Sequence, residues 1–201
     1  MTLLNRIREV LGTSDDASAL RGDWDFEPGA ASQGGVMTPA AVLIPIIDRT
    51  EPTVLFTRRT DTLRRHAGQV AFPGGRIDPE DDSAVAAALR EAHEEVMLPP
   101  SEVRVLGTLD RYETGTGYSI TPVVGLVTPD LPLVPCEAEV AALFETPLAH
   151  LLDPANHQLR EAEWQGRLRR YYAIHWETHH IWGATAGIIV NLARRLARET
   201  A

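Results

Sequence analysis

Leu3, Leu4, Ile7, Val10 and Leu11 recur at helical spacing, so the chain opens on a short amphipathic helix that Gly12 stops. From Thr13 to Pro39 the pattern is lost. This stretch is polar and rich in Gly, Asp, Ser and Ala, with Trp24 and Phe26 as anchors, and it reads as an irregular segment lying over a core. Apolar runs follow at Ala40–Ile47 and Thr53–Thr57, split by the turn-forming Asp48-Arg49-Thr50-Glu51-Pro52. Val103–Tyr112, Ser119–Val127 and Arg169–Trp176 read as further strands, while Glu139–Phe144 fits either strand or helix. Two longer helical patterns cover Asp82–Val96 and Ala184–Arg198, the latter striped by Ile188, Leu192 and Leu196. The mixed order predicts an α+β fold, with a mixed sheet sandwiched between helices.

Composition narrows the class. At 201 residues the chain suits one domain, with 1–39 as helix and irregular segment and 40–195 as the core. A net charge of −9 argues against a broad nucleic-acid or anionic-membrane surface. The lone Cys136 excludes an intrachain disulfide framework and reads as a passive packing residue. No apolar run reaches the roughly 18–20 residues that cross a bilayer, and the N-terminus carries no signal-peptide pattern, so a cytoplasmic location is expected.

On a wheel of about 100° per residue, Val85, Leu89, Ala92 and Val96 fall on one stripe, the expected buried face. Glu91, Glu94 and Glu95 share another arc, with Arg90 four residues before Glu94 and in reach of an ion pair. Three carboxylates on one arc repel, and a hard divalent cation such as Mg²⁺ or Mn²⁺ would relieve them. Taken alone, the arc equally describes a solvated acidic surface. The upstream Phe72-Pro73-Gly74-Gly75-Arg76-Ile77-Asp78 changes that reading, because paired glycines let main-chain atoms approach a ligand closely. Arg58, Arg59, Arg64, Arg65 and His66 add a local basic cluster in an acidic chain, suited to phosphate. His93 is expected to face solvent. His179-His180, between Trp176 and Trp182, lack a convincing zinc spacing.

These residues resemble the Nudix box, which reads Gly, five residues, Glu, seven residues, then Arg-Glu-aliphatic-x-Glu-Glu-x-Gly-aliphatic. Here Gly75 precedes Asp82, and seven residues later comes Arg90-Glu91-Ala92-His93-Glu94-Glu95-Val96-Met97-Leu98. On this alignment the loop after Gly75 is one residue longer, Asp82 replaces Glu, and Met97 replaces the closing glycine. A left-handed helix end suits Met poorly, so a different ending is expected. Leu55–Asp78, LFTRRTDTLRRHAGQVAFPGGRID, looks like the extended signature of the coenzyme A pyrophosphatase branch, and the likeness runs over about residues 40–195.

The resemblance implies a single Nudix hydrolase domain over 1–201 that cleaves coenzyme A or its derivatives to 3′,5′-ADP and 4′-phosphopantetheine. It implies Glu91, Glu94, Glu95 and the Gly75 carbonyl as metal ligands, Glu91 or Glu94 as catalytic groups, and Arg90 as the residue orienting the carboxylates. Arg58, Arg64, Arg65, His66 and Gln69 would bind substrate, and Glu139 would be a further ligand or base, with Glu113, Glu137 and Glu145 competing. The partner is then a small-molecule nucleotide, with no nucleic acid and no membrane, and a homodimer is left open. Two alternatives stand: a Nudix hydrolase for ADP-ribose, NADH or a nucleoside triphosphate, and a non-catalytic ligand sensor. Retention of all three glutamates argues against the sensor.

Overall fold

A computed structural model describes residues 2–11, 22, 23, 25, 36–61, 68–164 and 167–198. The helices are α1 (Leu3–Leu11), α2 (Ala84–Val96), α3 (Leu148–Leu152) and α4 (Ala184–Arg198). The strands run from β1 (Thr38–Ile47), β2 (Thr53–Arg59), β3 (Val70–Ala71) and β4 (Gly74–Arg76) to β5 (Val103–Thr108), β6 (Tyr112–Glu113), β7 (Tyr118–Val127) and β8 (Val140–Pro147). A second group comprises β9 (Gln158–Trp164), β10 (Arg167–Trp176) and β11 (His179–Trp182).

The first group forms one mixed sheet in the order β3-β2-β1-β7-β5, with β4 also on β1, β6 on β7 and β8 on β2. Its spine is the parallel pair β1–β7, in register from Thr38 opposite Tyr118 to Ile47 opposite Val127. A parallel pair needs a crossover, and the chain between these strands carries β4 and α2. Alternation along the strands sorts side chains onto two faces. Ala41, Leu43, Leu55, Val123 and Val127 pack with Ala87, Ala88, Ala92 and Val96 of α2. Ile44, Ile46, Val54, Phe56, Val124 and Leu126 pack on the other face with α1 and α4. The predicted sandwich of sheet between helices is therefore what forms. No helix among the described residues is long and apolar enough to cross a membrane.

Several local expectations change. Glu139–Phe144 resolves as the start of β8, and Val103–Tyr112 breaks into β5 and β6. The strands β9 and β11 and helix α3 were not anticipated; β9, β10 and β11 form a separate antiparallel sheet in the order β11-β10-β9. Cys136 is exposed, so it is not a packing residue. The buried face of α2 also turns away from the expected stripe. Ala87, Ala88, Ala92, Glu95 and Val96 are buried, while Val85 and Leu89 are only partly so. The small alanines allow the helix to lie close on β1, and that brings Glu95 inward with them.

Candidate active site

The helix α2 begins at Ser83, whose side chain accepts from the Ala86 N–H at 3.1 Å and so satisfies one otherwise unpaired amide. It ends at Met97 in the left-handed region, φ 57° and ψ 28°, with the Met97 N–H on the His93 carbonyl and the Leu98 N–H on that of Ala92. The expected different ending does not occur. Met97 adopts the glycine conformation because the two closing hydrogen bonds and the burial of Leu98 hold it there.

At the helix N-terminal half, Arg90 gathers the acids around it. Its Nε and Nη2 donate to Asp81 Oδ1 and Oδ2 at 3.0 and 2.9 Å, a two-pronged pairing. Nη1 donates to Glu91 Oε1 at 3.0 Å and Glu94 Oε2 at 3.1 Å, and Nη2 to the Arg76 carbonyl at 3.1 Å. Asp81 therefore occupies the acidic place of the motif, and the alignment to Asp82, which is exposed, is corrected. The additional residue lies after the acid and not before it. Counting five residues on from Gly75 would have found Asp81. Arg90 holds the Asp81 carboxyl below its ordinary range, helped by the Asp78 backbone.

Glycine is required where the β4 turn meets α2. A Cβ on Gly75 would stand 2.5 Å from the Glu91 carboxyl carbon, and one on Gly74 would stand 2.5 Å from the Ala41 carbonyl oxygen. The Gly74 N–H donates to Glu95 Oε2 at 3.2 Å, and Arg59 Nη1 stands 3.7 Å from Glu95 Oε1. The loop before β8 reaches the same place. The Cys136 N–H bonds the Glu95 carbonyl at 2.8 Å, the Val134 N–H bonds that of Val96, and Glu139 follows at the loop's end.

Glu91, Glu95 and Glu139 all line one cavity of about 1020 Å³, together with Gly74, Gly75 and Arg59. Burial pushes the Glu95 carboxyl up to about 7, with Glu139 and Glu91 adding to the rise against the Gly74 N–H and Arg59. Glu91 is raised by burial as well, against the pull of Arg90. These two carboxylates are thus withdrawn from water, and among the described residues Arg90 and Arg59 offset that burial only in part. Such a donor set of hard oxygens fits a divalent cation. Among the described residues no three Asp, Glu, His or Cys side chains are already gathered to hold one. Glu94 is exposed and engaged by Arg90.

Other predicted residues fall as follows. Arg58 lies 3.6 Å from Asp61, and with Gln69 it borders a smaller pocket that adjoins the main cavity. Gln69 lines both. Arg64, Arg65 and His66 lie outside the described residues, as do Trp24 and Phe26. His93 is exposed. His179 stacks on Phe144 with ring centroids 3.6 Å apart. Of the competitors to Glu139, Glu145 is tied to Arg49 and Thr53, and Glu113 pairs with Ser119 on β7. Arg59 of the basic cluster lines the cavity, as do Asp23, Arg169 and Tyr171, which the sequence did not single out.

The NUDIX domain family matches residues 37–167 of the chain. The chain belongs to the Nudix family. A protein of Escherichia coli strain K12 described as the uncharacterized Nudix hydrolase NudL is 50% identical over 157 residues, which is 78% of this chain and 82% of that protein. Its counterpart in Cronobacter sakazakii is 48% identical over 160 residues, 80% of this chain and 83% of that one. Among solved structures, a MutT protein from Methanosarcina mazei Go1 superposes with a TM-score of 0.52 at 17% identity, covering 84% of this chain and 99% of that one. A MutT/nudix family protein from Enterococcus faecalis gives 0.51 at 13% identity, with 98% and 75% covered. At these identities the two structures speak for the fold alone. As a Nudix hydrolase the protein is an enzyme that acts on phosphorus anhydrides of nucleoside diphosphate derivatives, in a family that uses divalent cations.

Proposed function

We propose that this Nudix hydrolase cleaves the diphosphate of coenzyme A or its derivatives, giving 3′,5′-ADP and 4′-phosphopantetheine or its acyl form, with Mg²⁺ or Mn²⁺. The observation that carries the reading is where the extended signature falls. Arg59, Gln69, Val70, Ala71, Phe72, Gly74 and Gly75 of the Leu55–Asp78 stretch line the same cavity as Glu91 and Glu95. The part of the chain that resembles the coenzyme A branch thus faces the carboxylates that would do the chemistry. The overall charge of −9 favours a small-molecule substrate over nucleic acid. A cytoplasmic enzyme is part of the same reading.

In this reading Glu91, Glu94, Glu95 and the Gly75 carbonyl hold the cation. When bound, the cation neutralises phosphoryl oxygens and lowers the pKa of attacking water. Arg90 fixes Glu91 and Glu94 by its hydrogen bonds, while Asp81 locks the guanidinium from behind. Glu139, exposed and lining the same cavity as Glu91 and Glu95, is set to accept a proton from water. Glu91 competes for that role, since burial makes it a stronger base than an ordinary carboxylate. Arg59 and Gln69, which line the same cavity, supply donors for the substrate. Phosphoryl transfer needs mainly such positioning and charge stabilisation.

A panel of coenzyme A, ADP-ribose and NADH, assayed with Mg²⁺ or Mn²⁺ and read by product identity, tests the reading. Release of 3′,5′-ADP from coenzyme A with the highest kcat/KM is expected. Preferential cleavage of ADP-ribose or NADH would replace it with another Nudix activity.

A further inference from the structure

Beside the main cavity lies a side pocket of about 360 Å³, at the lower end of the range for small-ligand sites. Gln69, Val70, His180 and Trp182 line both spaces, so one ligand can occupy the two together. The linings differ in character. The main cavity sets Asp23, Glu91, Glu95, Glu139 and Glu163 beside Arg59, Arg76, Arg169 and Arg170. Among the described residues the side pocket is lined by no acid, and instead by Arg58, Gln69, Thr178, His179 and His180. All five carry hydrogen-bond donors.

Three segments build this pocket. Arg58 comes from the end of β2, Gln69 and Val70 from the entry to β3, Thr178 from the β10–β11 turn, and His179 and His180 from β11, where His179 pairs with Trp176 and His180 with His175. The His179 ring is held flat on Phe144, with an interplanar angle of 2°, and the His180 ring stacks on His175 at 4.5 Å. The imidazoles are therefore oriented before any ligand arrives. Asp61 is the carboxylate that comes near, at 2.8 Å from where a Cβ on Gly68 would stand, and it pairs with Arg58 at 3.6 Å. That pair is largely exposed, and a dianion competes well for an arginine held so weakly.

We propose that this side pocket binds a phosphomonoester carried by the nucleotide half of the substrate, apart from the diphosphate that is cut. The inference rests on the coenzyme A reading and deepens it: the second sheet supplies the residues that select a nucleotide bearing a further phosphate. The diphosphate lies over Glu91 and Glu95, and the chain of the ligand passes Trp182 to put its monoester among the donors.

Coenzyme A and 3′-dephospho-coenzyme A share the diphosphate and differ only in the monoester. Steady-state kinetics on both, with Mg²⁺, separate the two subsites. Wild type is expected to favour coenzyme A. His179→Phe, which keeps the stack on Phe144 and removes the ring N–H, and Arg58→Gln should each lower kcat/KM for coenzyme A about tenfold while changing it less than about twofold for the dephospho form. The second substrate doubles as the check that each variant is folded. Equal losses on both substrates, or a wild type without preference between them, overturn the inference while leaving the coenzyme A reading standing. A wild type that cleaves neither removes that reading and the inference with it.

Discussion

Among the described residues two arginines each gather several carboxylates, and they behave differently. At one end, Arg49 binds Asp130 at 2.7 Å and Glu145 at 3.3 Å, and Glu145 also accepts from Thr53. This cluster ties the β1–β2 turn to β8 and the β7 end, and none of its residues borders the large cavity. At the other end, Arg90 binds Asp81, Glu91 and Glu94. Here a neighbouring carboxylate, Glu95, is buried and, among the described residues, is met by a backbone amide and by Arg59 at 3.7 Å. An arginine among acids is thus not in itself a sign of chemistry. What marks the Arg90 cluster is depth: Glu91 and the neighbouring Glu95 line a cavity, and burial raises both carboxyls.

Substitutions sharpen that contrast, beginning with the largest effect. Glu91→Gln should reduce turnover of coenzyme A by about 10²–10⁴-fold, the range for losing a positioned base or ligand, as measured at saturating Mg²⁺. Arg90→Gln should cost about 10–100-fold, through misplaced carboxylates, with the loss mainly in kcat. Arg49→Gln, the matched change in the other cluster, should leave turnover unchanged and lower the unfolding midpoint only slightly. A comparable loss of activity from Arg49 would erase the distinction.

Stability should carry the same signature. Glu95 titrates at about 7 when folded against an ordinary 4.5, so between those values the folded state holds a proton that the unfolded chain has lost. Stability from this group is present below pH 4.5 and is lost as pH rises through 7. Above that the ionised carboxylate disfavours the folded state by roughly 3 kcal/mol at most. In chelator, Glu95→Gln should therefore be more stable than wild type at pH 8 and indistinguishable from it near pH 4.5, by urea unfolding. The smallest expected effect is at the helix end. Met97→Gly should gain about 0.5–1 kcal/mol by relieving the left-handed conformation, with kcat unchanged.

Much of this architecture was readable from residue spacing. The helices α1, α2 and α4 and the strands β1, β2 and β7 follow apolar periodicity, because each buries one face or a full run. The strand β9 was not, since Gln158–Trp164 is largely polar and exposed, and its strand character comes from pairing with β10. In the site, Glu91, Glu95, Gly75 and Glu139, all named from the sequence, line one cavity. A helical wheel gives direction and not depth, so the burial of Glu95 beside exposed Glu94 was hidden. Asp81 was displaced by one because the motif was aligned from Arg90 backwards, and only the two-pronged contact decides between adjacent aspartates. The side pocket was out of reach altogether: nothing in local pattern joins Arg58 to His179 across more than a hundred residues.

Burial raises the Glu95 carboxyl, and a divalent cation held there with its neighbours on α2 would offset that cost. Isothermal titration of Mg²⁺ at pH 8 into wild type, Glu95→Gln and Arg49→Gln tests this directly. Wild type and the Arg49 variant should bind alike, and Glu95→Gln should bind at least about tenfold more weakly. Equal binding by all three would contradict the account.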